Sequence, residues 1–141
     1  MAKTISIQDM RYLNLFSKVT RISTRHCFKY NEVVIFCVPK NLVSRAIGEN
    51  ARNIKRINEI IGKRVKIISV PSDENGVYGI KKFIESIVSP VTFRDLNVEN
   101  NEITLTAGSH SKAALIGRNK RRLNELKQIS KDFFGKELKI I

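Results

Sequence analysis

The sequence predicts an α+β fold made of two similar small domains. Its 141 residues are 42% apolar and 28% charged, a composition typical of a folded chain. Two stretches resemble each other, "SRAIGENARNIKRINEIIGKRVKII" from Ser44 and "KAALIGRNKRRLNELKQISKDFFGKELKII" from Lys112. Each follows a helix-like segment and two strand-like runs. Each half is therefore expected to form a three-stranded mixed sheet covered by helices.

The first half begins with a helix after Ser6, with Asp9 in its first turn. The apolar face of this helix is predicted to comprise Ile7, Met10, Leu13, Leu15, Phe16 and Val19. The strand-like runs "STRHCFKY" and "EVVIFCVP" meet at Asn31 and predict a hairpin. A short helix is expected from Pro39 to Gly48, and a second one from Ala51 to Ile61. Its inward residues would be Ile54, Ile57, Ile60 and Ile61. The run "KRVKIISV" closes the half as a strand.

The second half repeats this order after the turn-rich segment Pro71–Gly76. A helix is predicted at Val77–Val88, because the residue before Pro90 disfavours helix. The runs "VTFRDLNV" and "EITLTA" predict a second hairpin around residues 99–101. Helices at Ser111–Ile116 and Lys120–Phe134 follow, and "KELKII" is the last strand. The longer helix is expected to turn Leu123, Leu126, Ile129 and Phe133 inward.

The spacing of the glycines supports an internal repeat. Gly48 corresponds to Gly117 after a shift of 69, and Gly62 to Gly135 after a shift of 73. The difference is about one helical turn, so an insertion of that size keeps the same face inward. We expect domains at 1–72 and 73–141, each with its last strand parallel to an earlier strand through a right-handed crossover. The short linker predicts a fixed mutual orientation.

Net charge favours a polyanionic partner. Lys and Arg number 26 against 13 Asp and Glu, so the formal charge is +13 and the pI about 10.1. Residues 1–72 hold 14 basic and 4 acidic side chains, residues 73–102 hold 3 and 6, and residues 103–141 hold 9 and 3. The positive charge is therefore concentrated in the two repeated stretches, as in nucleic-acid-binding surfaces.

The glycine breaks suggest how such a partner is held. A glycine turn between two helices exposes the N-terminus of the second helix, where amide groups and the helix dipole favour phosphate. Glycine permits positive φ and a close approach of the nucleic-acid backbone. Ile47 and Ile116 precede the breaks and are expected to line a groove for a few unstacked bases.

These features resemble the KH family, whose Gly-x-x-Gly loop between two helices clamps about four nucleotides of single strand. The element order is similar to the prokaryotic, type II KH arrangement. Two such domains in about 140 residues resemble the archaeal NusA-like transcription factors. This resemblance implies a role in transcription elongation or termination, through contact with the nascent transcript and RNA polymerase.

The resemblance carries over to two sets of residues. The first set comprises Gly48, Glu49, Asn50 and Ala51 with Arg45, Ile47, Arg52, Lys55 and Arg56. The second comprises Gly117, Arg118, Asn119 and Lys120 with Ile116, Arg121 and Arg122. Both loops depart from the family pattern, since Ala51 and Lys120 replace the second glycine. Alanine would be harmless if that position is helical, whereas Glu49 opposes a phosphate. The second loop is therefore predicted to make the stronger phosphate contacts.

Other classes of site find little support. His26 and His110 are isolated, and no Cys-x-x-Cys pair, nucleophile turn or nucleotide-binding glycine pattern occurs. We expect no catalytic residues, metal or cofactor. Cys27 and Cys37 are expected to be buried thiols, and Phe28, Tyr30 and Phe93 to pack in the core or hairpins. "MAKTISIQDM" lacks the apolar segment of a signal peptide, which predicts a cytoplasmic protein without a membrane partner. We also expect a monomer.

Two alternatives to a transcription factor that binds single-stranded RNA stay open. One is a non-catalytic docking module whose degenerate loops contact a protein partner. The other is a ribosome-associated KH factor.

Overall fold

The computed structural model describes residues 6–71 and 76–141. The chain divides into two compact units, the first ending at Val70 and the second beginning at Pro71. The predicted boundary between residues 72 and 73 lies outside the described residues, as does most of the predicted linker. Each unit combines helices with one three-stranded mixed sheet, so the predicted α+β class is confirmed.

The first unit has the predicted order of elements. They are α1 (Ile7–Thr20), β1 (His26–Tyr30), β2 (Val33–Val38), α2 (Val43–Ile47), α3 (Arg52–Ile61) and β3 (Arg64–Ser69). The Ser6 side chain caps α1, because its Oγ accepts a hydrogen bond from the Asp9 N–H at 3.0 Å. A single turn of 3-10 helix, Lys40–Leu42, leads into α2.

The second unit repeats this order. Its elements are α4 (Val77–Val88), β4 (Asp95–Glu99), β5 (Glu102–Thr106), α5 (Ser109–Ile116), α6 (Arg121–Phe134) and β6 (Glu137–Ile140). The bounds of α4 are those predicted. Helix α6 has 14 residues against 10 in α3, as the shift between the glycine pairs predicted.

The two sheets share one topology and one register. In each, an antiparallel hairpin is followed by a strand parallel to its second strand, which confirms the predicted parallel pairing. His26 pairs with Cys37 in the first sheet, and Asp95 pairs with Thr106 at the positions 69 residues later. Val33 pairs with Arg64, and Glu102 with Glu137. The internal repeat therefore extends to the pairing of individual residues in the two sheets.

The first core lies between the helices and one face of the sheet. Phe16 of α1 stacks on Phe36 of β2 with ring centroids 4.5 Å apart. Phe16, Phe36 and Ile57 are fully buried. The side chains that form this core are Tyr12, Phe16, Ile22, Cys27, Val34, Phe36, Val38, Ala46, Ile57 and Ile67.

Two predicted helix faces need correction. In α1, Ile7 and Met10 are exposed, with 73% and 52% of their surface accessible, whereas Tyr12, Phe16 and Thr20 are buried. Leu13, Leu15 and Val19 are partly buried and pack against the core beside them, as predicted. In α3, Ile60 is 56% exposed, whereas Ile57 is buried, and Ile54 and Ile61 pack partly buried against the core as predicted.

The second core uses the positions predicted for α6. Leu126 and Ile129 are buried, and they share this core with Phe83, Leu96, Ile103, Leu105, Leu115 and Leu138. Phe133 is half-buried and lies 4.8 Å from the Phe83 ring centroid.

Further expectations about buried side chains are confirmed. Cys27 and Cys37 are buried and are not joined in a disulfide, and Phe28 and Tyr30 are buried. Within residues 6–71 and 76–141, none of the helices combines the length and apolar character needed to cross a bilayer.

Candidate nucleic-acid interface

The first candidate site is the turn from Gly48 to Ala51, between α2 and α3. Gly48 has φ 82° and ψ 164°, Asn50 has φ 55° and ψ 32°, and Ala51 has φ 58° and ψ 28°. The backbone thus enters the left-handed region twice in succession before α3 begins at Arg52. Glu49, Asn50 and Arg52 are exposed, and Gly48 and Ala51 are half-buried.

The second turn, from Gly117 to Lys120, has nearly the same backbone. Gly117 has φ 73° and ψ 172°, Asn119 has φ 56° and ψ 28°, and Lys120 has φ 58° and ψ 24°. Arg118, Asn119 and Lys120 are exposed, while Gly117 is half-buried. Two different sequences therefore adopt one unusual conformation at equivalent places.

The fourth residue of each turn is not helical, which corrects the expectation for Ala51. The prediction treated alanine as harmless on the condition that its backbone is helical. Ala51 and Lys120 instead lie in the left-handed region, where a side chain crowds the following carbonyl. A glycine would be relaxed at this position, so both turns store strain.

Several amides of the turns are already bonded within them. The Ala51 N–H donates to the Gly48 carbonyl at 3.1 Å, and the Lys120 N–H donates to the Gly117 carbonyl at 3.2 Å. The Arg52 N–H donates to the Glu49 carbonyl in the same way. These amides are not free to bind phosphate as the sequence suggested. An anion placed at either turn would be attracted chiefly by the helix dipole and by charged side chains.

The first glycine of each turn is needed because the following helix packs closely against it. A Cβ at Gly117 would lie 2.9 Å from Cγ of Arg122, and a Cβ at Gly48 would lie 3.0 Å from Cγ of Asn53 and 3.1 Å from its backbone nitrogen. Any larger residue would collide with the first turn of the following helix, in addition to adopting a strained positive φ. The close approach that glycine allows is to this helix.

A side chain from the following helix also ties each turn to the helix before it. The Arg122 guanidinium donates from Nη1 to the Ala114 carbonyl at 2.9 Å, and Asn53 donates from Nδ2 to the Arg45 carbonyl at 3.4 Å. Asn53 and Arg122 are 69 residues apart, and so are the two carbonyls. Sequence analysis missed Asn53 and placed Arg122 among the RNA contacts. The shift of 69 was the signal that could have linked them.

Charged side chains around the first turn lie mainly on α3. An open depression of about 520 Å³ is lined by Glu49, Asn50, Arg52, Lys55, Arg56 and Glu59. The structure thus brings together five predicted residues and one that was not predicted, Glu59. Three cations and two carboxylates share this surface. Lys55 and Arg56 follow Arg52 by three and four residues, so both lie on the same side of the helix as Arg52.

Around the second turn the cations lie on the turn itself. Arg118 stands where Glu49 is in the first turn, and Lys120 stands where Ala51 is. Arg121, at the start of α6, is exposed as well. The positions of Lys55 and Arg56 are occupied by Asn124 and Glu125. The two copies therefore carry their positive charge at different distances from the glycine.

The remaining predicted residues lie beside the turns. Arg45 is exposed on α2. Ile47 is partly buried and packs against the core of the first unit. Ile116 is half-buried at the end of α5. Ile47 thus contributes to the core of the first unit.

The described residues contain no cluster of three or more His, Cys, Asp or Glu side chains that could hold a metal ion. The candidate site comprises the exposed cations and the glycine turns described above.

Three curated relatives resemble this chain, each named "Probable transcription termination protein NusA". The protein of Methanococcus vannielii is 23% identical over 142 residues, covering 97% of this chain and 79% of the relative. That of Methanocaldococcus jannaschii is 30% identical over 100 residues, covering 70% of this chain and 51% of the relative. That of Halococcus morrhuae is 23% identical over 137 residues, covering 95% and 94%. No family model matches the chain.

A solved structure supports the fold. The crystal structure of the protein designated APE1850 superimposes with a TM-score of 0.67 at 24% identity, covering 97% of this chain and all of that chain. Together the named relatives confirm the resemblance to the archaeal NusA-like family that the sequence indicated.

Proposed function

From this likeness to the archaeal NusA-like family, we propose that the chain is a non-catalytic transcription factor that binds single-stranded RNA. Both units are proposed to be type II KH domains, and the Gly48–Ala51 and Gly117–Lys120 turns to hold the sugar-phosphate backbone. The names of the relatives support a role in transcription termination. RNA polymerase is proposed as a partner on the same basis.

The observation that carries the proposal is the repeated turn. A strained conformation that occurs twice, in two different sequences, indicates selection for shape at both places. Exposed cations accompany both turns, on α3 in the first unit and on the turn in the second. A chain with two such turns can contact successive phosphates of an unpaired strand.

The two turns are proposed to differ in how they hold RNA. Arg118, Lys120 and Arg121 place positive charge directly at the second turn, which suits direct phosphate contact. Glu49 repels a phosphate at the first turn, so the strand is expected to contact Arg52, Lys55 and Arg56 along α3. The second unit then provides the larger share of the affinity.

The test is binding of a 12-nucleotide oligouridine to the full chain at several salt concentrations. If three or four phosphates are held, log K should fall with log salt with a slope of roughly −2 to −3, at about 0.7 per phosphate. The R118D/K120D variant should bind on the order of 100-fold more weakly, because two contacts become repulsive. Glu49→Lys should leave affinity unchanged or raise it.

A matched control reverses two positive charges farther along α6, away from the turn. Lys127 and Lys131 follow Lys120 in α6 by roughly 10 and 16 Å along the helix axis. The K127D/K131D variant should retain most of the affinity. Equal losses in the two double variants would mean that only net charge attracts RNA.

RNA binding and purification from cells separate the two alternatives. Undiminished binding by R118D/K120D, or no salt-dependent binding at all, would favour a docking module that contacts a protein partner. A ribosome-associated factor would recover ribosomal rather than polymerase subunits when the tagged chain is purified from cells.

A further inference from the structure

The side chain of Arg122 has two contacts that a phosphate ligand would not need. Its guanidinium donates to the Ala114 carbonyl at 2.9 Å, and its Cβ, Cγ and Cδ atoms lie directly against the Cα of Gly117, where a Cβ would come within 2.9 to 3.2 Å of them. Ala114 lies in the last turn of α5, where carbonyls lack partners within the helix. Arg122 therefore joins the end of α5 to the start of α6.

The first unit makes the same connection without a charge. Asn53 stands at the equivalent place, contacts the equivalent carbonyl of Arg45, and lies against Gly48. Asn53 carries no charge, so the hydrogen bond to the carbonyl is the property that the two copies share. The feature common to both units is thus a hydrogen-bond donor that spans the turn.

From this equivalence we infer that Arg122 and Asn53 are positioning residues that fix the glycine turns, and that the Arg122 guanidinium is not a phosphate ligand. This inference rests on the proposed RNA-binding function, which it refines. Holding the α5 carbonyl to α6 fixes the strained backbone at Asn119 and Lys120. Arg118 and Lys120 are then presented to the strand in a preformed arrangement, which lowers the entropic cost of binding.

Two neutral variants of similar shape test the role of Arg122. Arg122→Asn copies the first unit and keeps a donor, whereas Arg122→Leu removes the donor. Both remove the same charge, so any electrostatic effect is common to them. Binding of the 12-nucleotide oligouridine is measured across salt concentrations, well below the melting temperature of each variant.

We expect R122N to bind within about twofold of the unmodified chain and R122L to bind about fivefold more weakly, the typical effect of one lost hydrogen bond. Both should retain the salt slope of the unmodified chain. Arg118→Asn, which removes an exposed charge from the turn, should lower the slope by about 0.7.

Two results would overturn the inference. If R122N and R122L lose equal affinity and both lower the slope by about 0.7, Arg122 contacts a phosphate. If R122L melts at a lower temperature but binds RNA as the unmodified chain does, the hydrogen bond serves folding alone.

Amide hydrogen exchange separates this inference from the proposed function. If the unmodified chain binds no RNA, the proposed function fails, and exchange at residues 118–120 decides the positioning role. The rate of the Lys120 amide, which donates to the Gly117 carbonyl, should be about fivefold higher in R122L than in R122N, since opening of the turn no longer breaks one hydrogen bond. Equal rates would show that Arg122 does not fix the turn.

Discussion

At the scale of single residues, the backbone conformations of Ala51 and Lys120 lower the stability of the fold. Each has φ 58°, a conformation that costs an L-residue roughly 1–2 kcal/mol relative to the helical one. Neither residue has a preference for it, so the sequence alone could not reveal the left-handed backbone. The family pattern has a glycine at this position, and that glycine indicates the backbone conformation rather than a contact with RNA.

Ala51→Gly is therefore expected to stabilise the chain by about 1 kcal/mol, because glycine adopts positive φ without steric cost. The free energy of unfolding in urea measures this. Ala113→Gly, at an exposed helical position in α5, is the control and should destabilise by about 1 kcal/mol. A loss of stability in A51G as large as that in A113G would contradict the left-handed assignment.

Lys66 on β3 offers a second residue-level prediction, based on its pKa. Burial lowers the pKa of Lys66 below the usual 10.5, and the nearby positive charge of Arg64 lowers it further. The folded chain therefore binds fewer protons than the unfolded chain between the lowered pKa and 10.5, so this group makes stability rise with pH there. Below that range the charged lysine destabilises the fold.

Lys66→Met should raise the melting temperature at neutral pH, and the gain should shrink above pH 10.5, where Lys66 is neutral in both states. Lys139 is the matched control, because it lies at the equivalent place in β6 but is 53% exposed and only 3.3 Å from Glu102. Lys139→Met should change the melting temperature little. A gain for K66M that persists at high pH would point to apolar packing instead.

At the scale of elements, patterns that reflect local preferences predicted the structure well. Asn31 and Asn100, which accept positive φ, marked both hairpin turns, and Pro90 helped to end α4. The extra turn of α6 followed from the glycine spacing. The faces of α1 and α3 were less predictable. Ile7, Met10 and Ile60 are apolar, yet burial depends on where the sheet lies, which periodicity within one helix does not specify.

The two hairpins make an element-level prediction. Glu32 and Asn101 occupy the second turn position with φ 64° and 62°. Asn101 is compensated, since its side chain donates to the Gly135 carbonyl at 3.2 Å and accepts from Lys136 Nζ at 3.1 Å. Glutamate has no intrinsic preference for the left-handed region. Glu32→Gly should relieve about 1 kcal/mol of backbone strain, as glycine suits this turn type.

Asn101→Gly should have the opposite sign, because it loses two side-chain hydrogen bonds that link the hairpin to the turn before β6. Thermal unfolding of both variants measures the difference. Stabilisation by N101G would show that backbone strain outweighs those bonds and would contradict this prediction.

At the scale of the whole molecule, the repeat itself is the feature most relevant to function. The resemblance between residues 44–68 and 112–141 revealed two units before any geometry was known. The different placement of charge was visible in the aligned sequences, because Arg118 stands where Glu49 does, whereas the hydrogen bonds of Asn53 and Arg122 across the turns required the structure. Two non-identical sites on one chain should act together on a long strand.

RNA length tests this cooperation. A strand that reaches both turns binds the second one at high effective concentration, so a 24-nucleotide oligouridine should bind on the order of 100-fold more tightly than a 6-nucleotide one. More binding registers alone would give about sevenfold for a four-nucleotide site. In R118D/K120D the advantage of the long strand should fall to that statistical factor, because only the first unit still binds. If the unmodified chain also gains only sevenfold, each unit binds RNA alone, and the repeat must serve a different purpose from a continuous RNA track.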